Sequence, residues 1–258
     1  NNEGVVVITP SATSPALTEG KNFHFIFRTI GRDDQQGPAA AKFIINKAKP
    51  KKVAVLHDKQ SYGQGIAASV RDELKKANVE VALFEGINAG DSDYSAVITK
   101  LKSAGADFVY YGGYHPEMGL LLRQAAEQGL KVRMMGPEGV GNPEINAIAG
   151  NAVEGMLVTL PADPASKPEN AALVKAFKDK GRDPSGAFQM GAYTATQVLA
   201  QSIKAVGDDA EKVADYLHKT TFNMPTGNVA WDAKGDLKAF DFPVYSWHKD
   251  GSKSVAEK

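Results

Sequence analysis

The stretch KKVAVLHDKQSYGQGIAASVRDELKKANVEVALFEG, residues 51–86, decides how the rest of the chain is read. It opens on KKVAVLH, a short apolar run that reads as a strand, and closes on a second such run, VEVALFEG. Between them GQGIAASVRDELKKAN carries apolar positions at helical spacing. Strand, helix, strand is the repeating element of a parallel sheet whose crossovers cover both faces.

The alternation continues downstream. YSAVITKLKSAG reads as helix, DFVYYGG as strand, PEMGLLLRQAAEQG as helix, and KVRMMGPEG as strand with a Gly-rich, flexible exit. GNPEINAIAGNA is a short helix and VEGMLVTLP a further strand. This is an α/β domain. After Leu160 the character changes: the Pro-rich PADPASKPE leads to ENAALVKAFKDKG, GAFQMGAYTATQVLAQSIKAVG and DAEKVADYLHKT, three helical patterns with no obvious strand between them. They need a sheet from elsewhere, and VVVITP near the N-terminus, a β-branched run of the buried-strand type, is the nearest candidate. Late in the chain FPVYSWH alternates like a strand pairing at a sheet edge.

Composition narrows the function. Among 258 residues, 30 basic side chains balance 30 acidic ones, which removes the field that a nucleic acid or an anionic membrane would need. Neither is an expected partner. No apolar run approaches the roughly 18 residues of a membrane span, so direct membrane insertion is not expected. Cysteine is absent, which excludes disulfides, thiolate metal sites and a cysteine nucleophile within this sequence.

GQGIAA, Gly63 to Ala68, fits G-x-G-x-x-A, with Glu85 roughly 20 residues on, as a dinucleotide site wants. Its rival reading is small residues easing helix packing. DKQSY separates the strand from Gly63, whereas the dinucleotide fingerprint places its first glycine at the tight turn directly beyond the strand. Other enzyme signatures are missing: G-x-S-x-G, H-E-x-x-H and a phosphate-binding lysine loop are all absent. His57 and Asp58 are merely adjacent, and His24, His115, His218 and His248 lack metal-ligand spacing. No catalytic residue, cofactor or metal is expected, and the chain does not read as an enzyme.

The better candidates lie at strand exits, where open parallel sheets bind ligands. Glu138 stands in GPEGVG beyond KVRMM; a carboxylate there repels phosphate and suits an ammonium group. Tyr114 follows Gly112 and Gly113, which permit close approach, and precedes Pro116 and Glu117, which suit a helix's first turn. Tyr62 holds the corresponding place after VAVLH. Together they suggest a small-molecule cleft. TPSATSPALT, Thr9 to Thr18, offers Ser11, Thr13 and Ser14 hydroxyls with backbone N–H groups for a carboxylate, or equally a helix cap or Ser/Thr turn.

ITPSATSPALT, FRTIGRDDQQGPAAAKFI, VAVLHDKQSYGQG, FVYYGGYHPEMG, MGPEGVGN, VEGMLVT, DPSGAF and WDAKGDLKAFDF span nearly the whole chain. In these motifs the sequence resembles the periplasmic leucine/isoleucine/valine-binding proteins of bacterial ABC importers. That resemblance implies a two-lobed type I periplasmic binding protein fold of parallel sheets flanked by helices. The implied division is 1–32 for a lobe 1 remnant and hinge, 33–160 for lobe 2, 161–240 for the rest of lobe 1, and 241–258 returning to lobe 2. It further implies capture of a branched-chain amino acid between lobes, a periplasmic location, a membrane permease as partner and a monomer.

Carried over by resemblance, Thr13 binds the ligand carboxylate through N–H and hydroxyl, the Ser11 carbonyl accepts from the ammonium, and Glu138 is its counter-charge. Ser11, Ala12, Tyr62, Tyr114 and Phe188 line the side-chain pocket. Members often carry Ala or Gly where Ser11 stands, so its hydroxyl bears on which side chain fits. They also begin with a further segment bearing the first strands of lobe 1 and a serine loop, so lobe 1 is expected to be incomplete here. The alternative reading is an NAD-dependent oxidoreductase using the Gly63–Gly65 loop.

Overall fold

The structure, a computed structural model, describes residues 2–256; Asn1, Glu257 and Lys258, the ends of two expected stretches, lie outside them. The chain begins with β1 (Val7–Thr9) and β2 (Ile26–Arg28), then α1 (Asp33–Phe43), which passes into a π-helical turn, Ile44–Ala48. Next come β3 (Val53–His57), α2 (Ser61–Lys76), β4 (Val81–Gly86), α3 (Ser95–Ala104), β5 (Phe108–Gly112), α4 (His115–Glu127) and β6 (Arg133–Gly136). They are followed by α5 (Ile145–Ala149), β7 (Met156–Thr159), α6 (Ala171–Lys178), α7 (Gln189–Val206) and α8 (Ala210–Lys219). β8 (Phe222–Met224), β9 (Gly227–Val229), β10 (Val244–Trp247) and β11 (Lys253–Val255) close the order.

Two compact units share this chain. Unit 1 holds the described residues up to Arg32 and Pro161–Asp241; unit 2 holds Asp33–Leu160 and the described residues from Phe242 on. The chain therefore crosses after Arg32, Leu160 and Asp241.

Unit 2 is built on a sheet ordered β11-β10-β7-β6-β5-β3-β4. From β7 to β4 every pairing is parallel, because each connection is a helical crossover; β10 and β11 add antiparallel strands at one edge, as the alternation in FPVYSWH predicts. β3 and β5 are buried throughout, and Val53, Val55, Val70, Leu74, Phe108 and Met135 join one apolar core. Burial on both faces is what continuous apolar strands such as VAVLH require.

Unit 1 departs from the sequence reading in two places. β1 was expected to be a buried strand, yet Val5 is 57% and Val7 47% exposed. Among the described residues β1 pairs with β2 alone, in parallel. Side chains alternate along a strand, so Val6 and Ile8 pack on the unit 1 core while Val5 and Val7 face outward. The helices α6–α8 also gain a hairpin the sequence reading lacked: β8 and β9 pair antiparallel, and Phe222, Met224 and Val229 join Phe27, Leu217 and Trp231 in the core.

Candidate functional site

The exits of the parallel strands in unit 2 gather three of the expected residues. Tyr62 is the second residue of α2, and the first turn of that helix sits hard against the end of β5. Gly63 and Gly112 make this possible, since a side chain on Gly112 would run into the Gly63 carbonyl. Tyr114 is the N-cap of α4, in extended conformation, and its ring centroid lies 5.3 Å from that of Tyr62. Glu138 opens a 3-10 turn, Glu138–Val140, directly after β6, so GPEGVG is ordered structure rather than the flexible loop its composition suggests. Gly139 in that turn lies against both rings: a Cβ there would stand 2.6 Å from the Gly113 carbonyl, 3.1 Å from Tyr62 and 3.2 Å from Tyr114.

Glu138 is only 3% exposed. Burial, and next the charge of Asp33, push its carboxyl up to about 7; hydrogen bonds with Gln36 and Tyr62 oppose that shift. The Tyr62 hydroxyl also accepts the Gly139 amide at 3.3 Å. Burial first, then Glu138, raise the Tyr62 phenol well above its ordinary range, so it stays a neutral donor. A buried carboxyl whose proton affinity is raised to this range, flanked by a half-exposed aromatic ring, has the chemistry to receive a cationic group.

Asp33 and Gln36 belong to this cluster, and sequence reasoning gave neither a role. They sit one turn apart at the start of α1, Gln36 donates to the Thr159 carbonyl at 3.3 Å, and both are buried. The available signal was the i, i+3 spacing of an acid and an amide at a helix start in GRDDQQGP.

Unit 1 gathers the remaining expected residues. Thr9 Oγ1 accepts the amides of Ser11 at 3.3 Å and Ala12 at 3.1 Å, which is the Ser/Thr-turn reading of TPSATSPALT. Those two amides are therefore engaged within the turn, the second of the two readings that the sequence left open. Ser11 and Ala12 are exposed, and Thr13 is 2% exposed. Phe188 is half-buried and directly precedes α7, whose first turn lies beside Pro10, so that a side chain added at Gly191 would come into contact with it. Thr29 fixes that approach by donating to the Gly191 carbonyl at 2.9 Å. Ser11, Ala12, Thr13 and Phe188 thus share one end of unit 1.

The dinucleotide alternative fails on geometry. α2 already begins at Ser61, which puts Gly63 and Gly65 inside the helix, where Gly63 packs against the Asp58 carboxyl and the Gly112 carbonyl, oxygens that would repel a pyrophosphate. Among the described residues no cluster of three or more His, Asp or Glu side chains is arranged to hold a metal.

A family model described as periplasmic binding protein matches residues 1–252. This chain belongs to the periplasmic binding protein family. Over 254 residues this periplasmic binding protein is 58% identical to the leucine-, isoleucine-, valine-, threonine- and alanine-binding protein of Pseudomonas aeruginosa, covering 98% of the chain and 68% of that relative. A leucine-binding protein of Thermotoga maritima superposes with a TM-score of 0.87 at 31% identity, over 99% of this chain and 73% of that one. The branched-chain amino acid transporter substrate-binding protein of Streptococcus pneumoniae, solved with isoleucine, gives 0.85 at 26% identity, over 99% and 73%. The type I fold expected from the sequence is therefore the fold of this periplasmic binding protein, and the relatives are named as binding proteins, not oxidoreductases.

Proposed function

We propose that this protein captures branched-chain amino acids and hands them to the membrane permease of an ABC importer. The observation that carries the reading is Glu138, a buried carboxyl beyond the carboxyl end of an interior parallel strand, where open parallel sheets bind ligands. It receives the ammonium group, and the Tyr62–Tyr114 pair beside it offers an apolar wall for an aliphatic side chain. In unit 1, Thr13 takes the carboxylate, Ser11 contributes its carbonyl, and Ala12 and Phe188 line the side-chain pocket. The names of the relatives support the same ligand class. The protein acts in the periplasm as a monomer; among the described residues no helix is long and apolar enough to cross a membrane.

Titration calorimetry tests the reading directly. L-leucine, L-isoleucine and L-valine are expected to bind one per chain at pH 8, and NAD to give no heat. Absence of binding by every aliphatic amino acid, alanine included, overturns it.

A further inference from the structure

Resting on that reading of Glu138, the surroundings of its carboxyl add a second property. Unit 2 buries two acidic side chains in one cluster: Asp33 is 4% and Glu138 3% exposed. Both act electrostatically on the same three tyrosines, Tyr62 on α2, Tyr110 on β5 and Tyr114 at the start of α4. Two carboxylates buried this way cannot both ionise cheaply.

We propose that amino-acid capture by this protein releases a proton at mildly acidic pH: there, without ligand, its own burial and the neighbouring Asp33 keep Glu138 as the neutral acid, and the arriving ammonium takes the proton's place. The exchange balances, one proton leaving for solvent as one cation enters. An ammonium supplies the counter-charge that desolvation withholds, so the ligated carboxyl is ionised.

The groups around Glu138 leave it as the one that exchanges. Burial, followed by the carboxylates, raises all three phenols, most strongly Tyr62 and Tyr110, so they hold their protons across the physiological range. On α4, His115 is paired with Glu144 at 3.3 Å, and the Glu117 carboxylate accepts the Gly90 amide at 3.0 Å. β7 contributes only the neutral Thr159, and Gln36 is an amide. Asp33 is thereby a positioning residue: it adds to burial in raising the proton affinity of Glu138.

Because ligand competes with a proton for the same carboxyl, affinity falls as pH drops below the raised value of about 7. With one competing proton the loss from pH 8 to pH 5.5 is about 30-fold. The test is calorimetry of L-leucine binding in phosphate and imidazole, buffers of contrasting ionisation enthalpy. The expected result is close to one proton released per leucine at pH 6, little at pH 8, and a lower midpoint in Asp33→Asn. Should that variant fail to fold by circular dichroism, the buffer comparison on the unsubstituted protein still decides. Leucine binding at pH 8 with no proton release at pH 6 overturns this proposal and leaves the amino-acid reading standing. No leucine binding at either pH overturns both.

Discussion

The Arg28 guanidinium donates through Nε to Oδ1 of Asp236 at 2.7 Å, and neither side chain is meaningfully exposed. Its other nitrogens reach the carbonyls of Ala12 and Ser14 and the Thr18 hydroxyl, while Asp236 also receives Thr18 and Arg32. A buried strand residue thus anchors the Ser11–Ser14 loop from beneath. Only the planar fork of arginine serves these acceptors together.

Arg28→Met should therefore cost unit 1 about 3–5 kcal/mol, the usual result of removing one member of a buried ion pair and stranding the other. Urea unfolding followed by tryptophan fluorescence measures it, since Trp231 lies in the same core and donates to the Arg28 carbonyl at 2.6 Å. Arg28→Lys should recover only part of the loss. A loss below about 1 kcal/mol would mean that water readily replaces the network.

Glu138→Gln separates stability from function. Removing the ammonium's counter-charge should weaken leucine binding by about 3–5 kcal/mol. The same change should stabilise the ligand-free protein at pH 8, because a carboxyl raised to about 7 is charged there against its burial. The gain has an upper bound of about 3 kcal/mol. Thermal melts without ligand and calorimetry with it give the two numbers; equal melting temperatures would show that Glu138 is not strained.

The sequence made some of this legible and hid the rest for physical reasons. Strands such as VAVLH and FVYYG are buried on both faces, so their composition alone announces them. Glu138 could be singled out only by its position: a solvated loop glutamate is the commoner reading, and the carboxyl end of a parallel strand is what weighs against it. By contrast, α1 carries Gly37 and Pro38 and a small-residue face, and tertiary packing holds it: Gly37 lies against Ser69 of α2 so closely that a Cβ would collide. β2 hides a fully buried arginine that reads as polar surface. Its partner Asp236 lies far along the chain, so the pair cannot be read from local pattern. The kinship of Asp33 with Glu138 is hidden in the same way.

Gly139→Ala should disturb the tyrosine pair without unfolding unit 2. The added methyl meets the Gly113 carbonyl at 2.6 Å, which is fixed backbone, so the turn must shift and carry the Tyr62–Tyr114 contact with it. A strained small-to-large change of this kind costs about 1–3 kcal/mol. Affinity for leucine should fall by about tenfold or more, read by calorimetry, while the far-UV circular dichroism stays unchanged. Unaltered affinity would remove the aromatic pair from the ligand wall.

The two units should respond to acid in opposite directions. Burial alone would raise the Asp236 carboxyl, but hydrogen bonds from Arg32, Thr18 and Arg28 prevail and hold it below its ordinary value. A depressed carboxyl contributes stability above its unfolded value and loses it as pH falls through the folded one, so unit 1 weakens below about pH 4. Glu138 is raised, so the folded unit 2 binds more protons than the unfolded chain between the ordinary glutamate value of 4.5 and about 7. Its contribution is most favourable below 4.5 and is lost as pH rises toward 7. Amide hydrogen exchange resolves the units: from pH 7 to 5, corrected for intrinsic rates, protection of β3 and β5 should rise while that of α7 and α8 holds steady. Uniform loss of protection across both units over that range would refute the buried, raised carboxyl.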